Sequence, residues 1–257
     1  MFFRLFQTIL LTALSVHANS VSSVHCPHSC PTGTPSSNYY IDRDAYILSN
    51  NATTKFADWV AYTVSKSTID GSKSRNWKAD PILWSNTTLE PADYTSAHAT
   101  IGTDRGHQAP LAALSAYSSW KELNYLSNIT PQKSALNQGP WNTLEGRVRS
   151  LAERSDIENV YVITGPLYEY HVADLPQADE SHTIPSGYWK VIYVNNGSVK
   201  TAAFIMEQDT SRYSNICNHK VTINEVEARS GLNLHPYMGS QSAIESRLGY
   251  LLDDLGC

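Results

Sequence analysis

The segment TDRGHQAP, residues 103 to 110, places an acid, an arginine, a glycine and a histidine side by side. The imidazole of His107 can accept a proton near neutral pH. Arg105, two residues before it, carries a permanent positive charge on a planar guanidinium group, which suits an oxygen-rich anion such as phosphate. Asp104 could hold the imidazole or the local turn, and Gly106 permits a backbone angle or a close approach that a side chain would forbid. A surface or structural role for this histidine, one of nine, is the alternative.

A second polar stretch follows at SNITPQKSALNQGPWNTLEGRVRS, residues 127 to 150. Four of its residues recur at intervals of four and would form a slowly drifting stripe on one side of a helix. A solvated helix face with a glutamate–arginine pair is the alternative interpretation. Gly139 and Pro140 leave the start of the helix open. The four residues are Asn137, Trp141, Glu145 and Arg149.

Together the two stretches could hydrolyse a phosphodiester, a reaction that needs an activated water and neutralisation of phosphoryl charge. His107 would be the general base. The amide oxygen of Asn137 could hold a Mg²⁺ ion that keeps most of its waters, and Glu145 would bind those waters. The metal and the arginines would stabilise the negative transition state. The sequence contains no P-loop, no H-E-x-x-H helix and no G-x-S-x-G elbow, which removes several other enzyme classes.

The D-R-G-H motif followed by N-Q-x-x-W-x-x-L-E resembles the DNA/RNA non-specific endonucleases of the ββα-metal (His-Me finger) superfamily. The segments TTKFADWVAYTVSK, SRNWKADP, NYLSNITPQKSALNQGPW, VITGPLYE and HTIPSGYWKVI extend the resemblance over nearly the whole chain after its first residues. The resemblance implies an α+β fold with a central, mainly antiparallel sheet flanked by helices and a ββα-metal active-site element. It also implies hydrolysis of DNA and RNA that leaves 5′-phosphate ends. We expect Mg²⁺ as the metal, with Mn²⁺ as the alternative.

The resemblance also assigns roles to individual residues. The general base corresponds to His107, the metal ligand to Asn137, and the glutamate that orders the metal's waters to Glu145. Further active-site positions of the family correspond to the phosphate-binding arginines and one asparagine of this chain, namely Arg75, Arg105, Arg149 and Asn128.

Composition is that of a folded protein: 41% of the 257 residues are hydrophobic and 17% charged. The net charge of -5 provides no global field for a polyanion, so contacts to nucleic acid must be local. Gly146 softens the second stretch by up to about 1 kcal/mol relative to alanine, if that stretch is helical. The cations that could form a local basic cleft are Lys73, Arg75, Lys78, Arg105, Lys133, Arg147 and Arg149.

The first 18 residues, MFFRLFQTILLTALSVHA, have the basic start, short apolar run and small-residue cleavage site of a secretory signal peptide. The apolar run is too short for a membrane anchor. We therefore expect a secreted protein with one endonuclease domain over residues 19–257. In an oxidising compartment, four cysteines indicate disulfides. Of the three pairings, Cys26–Cys30 with Cys217–Cys257 is the simplest, and a zinc site that uses His25 or His28 is the alternative.

Patterning predicts strands over 56–66 and over 159–168, the latter stopping at Gly165-Pro166, and a hairpin over 188–206 that turns at Asn196-Gly197. Helical patterns cover 140–154, 222–230 and 241–252. Strands in hairpins with interspersed helices favour an α+β domain.

Other functions are consistent with the same residues. One is a non-catalytic, secreted nucleic-acid-binding protein of the same fold, and another is a phosphodiesterase or phosphatase for small molecules. A homodimer is a further expectation from the resemblance, although the sequence departs from the family after GLNLHPYMG, residues 231 to 239. Four N-x-S/T sequons are present, at Asn51, Asn86, Asn128 and Asn196.

Overall fold

The computed structural model describes residues 23–234 and 241–257. Nine strands are found in the described residues: β1 (Tyr39–Asp42), β2 (Ile47–Asn51), β3 (Phe56–Val64), β4 (Thr103–His107), β5 (Ile129–Lys133), β6 (Val160–Leu167), β7 (Gly187–Asn195), β8 (Val199–Glu207) and β9 (Lys220–Val221). The α-helices are α1 (Ala97–Ile101), α2 (Ser134–Leu136), α3 (Asn142–Ala152), α4 (Ile223–Ser230) and α5 (Gln241–Glu245). A π-helical segment, Asn137–Trp141, joins α2 to α3. Short 3₁₀ turns cover Lys66–Thr68, Ser85–Thr87, Trp120–Asn124, Leu126–Asn128, Ile216–His219 and Asp253–Leu255.

Seven of the strands form one sheet in the order β1-β2-β3-β6-β7-β8-β9. Every neighbouring pair is antiparallel. The predicted α+β class with a mainly antiparallel sheet is therefore confirmed. The central strands β3, β6, β7 and β8 are rich in β-branched and aromatic residues, which pack well on a pleated surface.

Successive residues of the central strands enter two different cores, because side chains alternate across a sheet. Val60 and Tyr62 belong to the core that packs against α3. Trp59 and Ala61 belong to the core on the other face, which also contains residues of α4 and both cysteines of the N-terminal disulfide. The sheet is thus covered on both faces.

The strands β4 and β5 form a separate two-stranded antiparallel ribbon. Its last pair joins His107 to Ile129, and its first joins Thr103 to Lys133. The chain passes from β5 directly into α2, the π-helical segment and α3. This ribbon and helix form a ββα element that carries both of the polar stretches found in the sequence.

Most of the predicted elements are present. The strand over 56–66, the hairpin over 188–206 and the helix over 222–230 are confirmed as β3, β7–β8 and α4. Three predictions were wrong in extent. The strand β6 continues through Gly165-Pro166 to Leu167, and the helix expected over 241–252 ends at Glu245. The helix expected over 140–154 begins as α3 only at Asn142, after the π-helical segment.

The four cysteines form the disulfides Cys26–Cys30 and Cys217–Cys257, so a zinc site on these sulfurs is excluded. The second disulfide fixes the end of the chain to the turn that precedes β9. The predicted signal peptide lies outside the described residues. Within residues 23–234 and 241–257, no helix has the length and apolar character needed to cross a membrane.

Candidate active site

A cleft of about 550 Å³ opens over the ββα element. It brings together residues from both polar stretches and from the segment SRNWK that precedes them. Six of the seven site residues expected from the sequence line the cleft, and Asn128 does not. The six are Arg75, Arg105, His107, Asn137, Glu145 and Arg149.

His107 ends β4, and its ring is held on two sides. Its Nε2 lies 3.2 Å from Oδ1 of Asn124, which can only accept, so Nε2 donates the proton. Nδ1 is then the unprotonated nitrogen. The ring of Trp77 packs against the imidazole, with 5.2 Å between the ring centroids. Burial lowers the pKa of His107 to about 4, an effect that the bond to Asn124 opposes and the charge of Arg75 reinforces. The imidazole is therefore neutral at pH 7.

Trp77 and Asn124 are held in place by backbone pairing between their segments. The amide of Lys78 donates to the carbonyl of Asn124 at 3.3 Å, and the amide of Leu126 donates to the carbonyl of Lys78 at 3.0 Å. The side chain of Asn124 is completely buried. The two partners of the imidazole thus belong to one pair of bonded segments, which fixes the orientation of the ring.

Arg105 lies two residues before His107 on the same side of the ribbon. Its guanidinium carbon is 5.2 Å from the ring centroid of Tyr94 and 5.8 Å from that of Trp77. One terminal nitrogen donates to the carbonyl of Pro91 at 3.1 Å. Its buried Nε has no hydrogen-bond partner. Two aromatic rings therefore hold the guanidinium at the cleft while part of its donor capacity remains for an anion.

Asp104 does not contact His107 but connects the ribbon to the segment that contains Asn137. Its carboxylate accepts hydrogen bonds from Nδ2 of Asn137 at 2.9 Å and from Nε2 of Gln138 at 2.7 Å. Ser134 and His98 also bind it, at 2.7 and 3.0 Å. Burial acts to raise the pKa of Asp104, but these bonds outweigh it and lower the pKa. Because the amide nitrogen of Asn137 is used here, its oxygen is the atom suited to a metal ion.

Two glycines permit close approaches that shape this element. A Cβ on Gly106 would lie 2.6 Å from Oε1 of Gln132 on the facing strand. A Cβ on Gly139 would lie 2.6 Å from the carbonyl oxygen of Arg212. Gly139 also has a non-helical φ of -106° and ψ of -116°, which produce a kink inside the π-helical segment. A side chain at either position would displace the groups around the cleft.

Glu145 and Arg149 lie one turn apart on α3 and both face the cleft. Burial raises the pKa of Glu145, while the positive charges of Lys190 and Arg149 lower it. The buried Nη1 of Arg149 has no hydrogen-bond partner. An orphaned guanidinium nitrogen at a cleft wall indicates a site for an anion, since leaving it unpaired is costly.

A smaller cavity of about 330 Å³ adjoins the cleft. It shares Arg75, Arg149 and Leu111 with the cleft and adds Lys73 and Ile69. Of the seven cations that the sequence offered for a basic cleft, four line the two cavities: Lys73, Arg75, Arg105 and Arg149. Lys133 instead donates to the carbonyl of Ile101, and neither it nor Lys78 or Arg147 is among the residues that line either cavity.

Asn128, which the resemblance places among the active-site residues, is completely buried and does not line the cleft. Its Oδ1 accepts from the amide of Ala109 at 2.8 Å, and its Nδ2 donates to the carbonyls of Ala109 and Leu123 at 3.0 and 2.9 Å. All of its polar atoms are thus used to fix the chain just after His107. The catalytic assignment of Asn128 stays a prediction, and the complete burial of its side chain leaves no room for a glycan at this sequon.

The sequence interpretation missed Trp77 and Asn124, which hold the imidazole, and Lys190, whose charge acts on Glu145. Trp77 stands in the segment SRNWK beside Arg75, and Asn124 stands four residues before Asn128. Lys190 interrupts the apolar run YWKVIYV. A single charge within a buried strand is the one local signal that could have identified a member of this group.

A separate acidic group, Glu90, Asp93 and Glu180, is the one set of at least three ligand-type side chains within metal-binding reach in the described residues. None of the three lines the cleft. Burial, followed by the charge of Asp93, raises the pKa of Glu180 to about 7.

The ribbon, the helix and the cleft residues define a ββα nuclease fold with a histidine on the ribbon and an asparagine and a glutamate on the helical side. The sequence matches the family model of the DNA/RNA non-specific endonucleases over residues 28–240. The chain belongs to this family. The resemblance found in the motifs is thereby confirmed.

Individual relatives agree with this assignment. The chain is 49% identical to the nuclease of Serratia marcescens over 253 residues, which cover 96% of this chain and 95% of the relative. It is 29% identical to the human mitochondrial endonuclease G over 79% of this chain and 72% of that protein. Among solved structures, one of the EndoG/EndoGI complex superposes with a TM-score of 0.71 at 24% identity, covering 84% of this chain and 92% of the other. This last similarity supports the fold.

Proposed function

We propose that the protein is a secreted, Mg²⁺-dependent endonuclease that hydrolyses both DNA and RNA without sequence preference. The observation that carries the proposal is the neutral, oriented imidazole of His107 at a cleft lined by three arginines. A base, cations for the phosphoryl group and an oxygen ligand for a metal lie at one opening. These are the components that phosphodiester hydrolysis requires.

His107 acts through Nδ1, the nitrogen left unprotonated by the bond from Nε2 to Asn124. Nδ1 takes a proton from a water as that oxygen forms a bond to phosphorus. The bond from phosphorus to the 3′-oxygen breaks, and the leaving oxygen takes a proton from solvent. The products are a 5′-phosphate and a 3′-hydroxyl.

The arginines bind the phosphate under attack and the strand on either side of it. Arg105 is held rigidly between aromatic rings, whereas Arg149 presents an unpaired buried nitrogen. Arg75 is exposed and lies between the cleft and the adjoining cavity, where Lys73 adds another cation. Contacts of this kind address the backbone and therefore carry no base preference.

The oxygen-donor set fits Mg²⁺, a hard cation that is commonly bound by one or two protein oxygens and several waters. Oδ1 of Asn137 would hold the ion directly, and Glu145 would bind its waters. The ion supplies charge stabilisation at the phosphoryl oxygens when bound. Asp104 contributes by fixing the amide of Asn137 so that the oxygen, rather than the nitrogen, is presented.

Secretion through the segment 1–18, the single domain over 19–257, the homodimer and the substitution of Mn²⁺ for Mg²⁺ stay predictions. Amino-terminal sequencing of the exported protein and light scattering of the purified protein would test export and oligomeric state. Metal titrations with each ion would test the substitution.

The first experiment is nicking of supercoiled plasmid and decay of RNA by the purified protein, with Mg²⁺ and with EDTA. We expect metal-dependent cleavage of both substrates, with 5′-phosphate ends that a ligase can rejoin. His107→Ala should reduce the rate by roughly 10²–10⁴-fold, the contribution typical of general acid–base catalysis. His171→Ala is the matched control, because His171 is exposed and does not line the cleft.

An undiminished rate in His107→Ala would remove the histidine from the mechanism. Binding of DNA without cleavage in Mg²⁺, by a folded protein, would favour the non-catalytic binding protein. Cleavage of a small chromogenic phosphodiester in preference to plasmid would favour the small-molecule enzyme.

A further inference from the structure

Lys190 is a fully buried cation on β7, beneath the helix that carries Glu145. Its Nζ donates to the hydroxyl of Tyr62 at 3.0 Å and lies 4.6 Å from the ring centroid of Trp141. Burial lowers its pKa to about 8, and the negative charge of Glu145 opposes this effect. A lysine in an apolar core is costly unless opposite charge and hydrogen bonds compensate for its lost hydration.

The residues around this ammonium connect it to the cleft. Trp141 is four residues before Glu145 along the chain and packs against the core below α3. The charges of Lys190 and Glu145 act on each other, and that of Glu145 also reaches the hydroxyl of Tyr62. The described ion pairs do not include one between Lys190 and Glu145, so the two charges act on each other over more than the distance of a direct ion pair.

We propose that Lys190 is a positioning residue of the active site. Its positive charge, buried in the core beneath α3, attracts and stabilises the negative charge of the Glu145 carboxylate. Glu145 faces the cleft, and Lys190 is completely enclosed, so the lysine acts on substrate only through the glutamate. This inference rests on the proposed function, in which Glu145 binds the waters of the metal ion.

The neighbours of Lys190 in its strand show that the position does not need a charge for packing alone. Trp189 and Val191 enter the opposite core, and Ile192 and Val194 pack on the same face as Lys190. An apolar side chain of similar length would fill the space beside Tyr62 and avoid the cost of a buried ammonium. A role in supporting Glu145 explains why a charge is present.

The test is a double-mutant cycle on kcat with Lys190→Met, Glu145→Gln and the double variant, measured on plasmid at saturating substrate. Methionine keeps the length of the side chain and removes its charge. We expect Lys190→Met to lower kcat by about tenfold in the wild-type background and by less than about twofold in Glu145→Gln, since coupled residues give non-additive effects. The Mg²⁺ concentration for half-maximal rate should rise in Lys190→Met, with an unchanged KM for DNA.

If Lys190→Met lowers kcat by the same factor with Glu145 and with Gln at position 145, the proposal is overturned. Such a loss would come from a general disturbance of the core and not from the loss of the Lys190–Glu145 interaction. If Lys190→Met does not fold, as judged by near-UV circular dichroism, Tyr62→Phe takes its place in the cycle. This variant keeps the ring and removes the hydroxyl that accepts from Lys190. It should show a smaller loss that also disappears in Glu145→Gln, and an equal loss in both backgrounds would again overturn the proposal.

Failure of the proposed function is recognised separately. A wild-type protein without metal-dependent cleavage would refute that function before the cycle is measured. An active wild-type protein with an additive cycle would refute the role of Lys190 alone.

Discussion

The two faces of the seven-stranded sheet differ in what they bury. The face beneath α3 encloses an ammonium, a tyrosine hydroxyl that accepts from it, and the indole of Trp141 close to a carboxylate. The face beneath α4 encloses Trp59, Trp189 and the disulfide Cys26–Cys30 among aliphatic side chains. Polar groups in a core reduce the net gain from burial, whereas apolar groups increase it. The comparison teaches that the face beneath α3 places polar groups under the site, whereas the face beneath α4 packs mainly apolar side chains.

The largest effect should follow from removing a large side chain on the α4 face. Trp189 is completely buried, and Trp189→Ala should lower the free energy of unfolding by about 3–5 kcal/mol, the usual cost of such a truncation. The kcat of the fraction that remains folded should stay close to that of the wild type. Chemical denaturation with parallel activity measurements tests both parts. A loss of kcat without a loss of stability would break the division between the faces.

The next effect concerns the pH dependence of the site. The pKa of His107 is lowered to about 4, so kcat/KM should stay constant as the pH drops well below 6.5. Below the pKa it should fall about tenfold per pH unit. Trp77→Ala exposes the imidazole to water, so the acidic limb should move upward toward 6.5. Initial rates between pH 3.5 and 8 measure this. A wild-type limb already near 6.5 would contradict the role of burial.

The same pKa has a consequence for stability. The unfolded chain protonates this histidine near pH 6.5, and the folded chain does so only near pH 4. Since the unfolded state binds more protons in this window, His107 makes the fold less stable as the pH falls from 6.5 to 4. His107→Ala should therefore lose less stability than the wild type between pH 7 and pH 5, as measured by urea unfolding at each pH.

The smallest effect is expected at Gly146 on α3. A Cβ at this position would meet only the terminal nitrogen of Arg149 at 3.7 Å, an ordinary contact. Gly146→Ala should raise the free energy of unfolding by up to about 1 kcal/mol, because glycine is a poor helix former. Thermal unfolding gives the stability change, and kcat shows whether a stiffer α3 disturbs Glu145. A destabilised variant would show that the helix needs the glycine.

The sequence predicted those parts of the fold that local patterns determine. The asparagine–glycine turn and the alternating apolar runs identified the hairpin β7–β8, because such turns match the twist of paired strands. The candidate site residues on the ribbon and on α3 were predicted because their spacing recurs in a known family. Both kinds of signal lie within a few residues along the chain.

The ends of several elements and the roles of other residues depend on tertiary contacts. Pro166 was expected to end its strand. However, β3 pairs with β6 only up to Thr164, so beyond that residue one side of β6 has no partner strand. At that edge no backbone amide donor is needed, and a proline can be accommodated. The helix expected over 241–252 ends early, since Leu251 bonds instead to the carbonyl of Thr201 in β8. The roles of Asn124 and Lys190 likewise depend on neighbours 17 and 128 residues away in the sequence.

The alternation along β7 has a consequence for how the chain folds. Trp189 enters one core and Lys190 the other, and a slip of one residue in the pairing with β6 or β8 would exchange them. The ammonium would then lie among the side chains of the α4 face, and the indole would take its place in the core beneath α3. A misaligned sheet would therefore carry the cost of an ammonium without its partners, which favours the correct register during folding. The Lys190 amine thus contributes both to correct strand pairing and to the environment of Glu145.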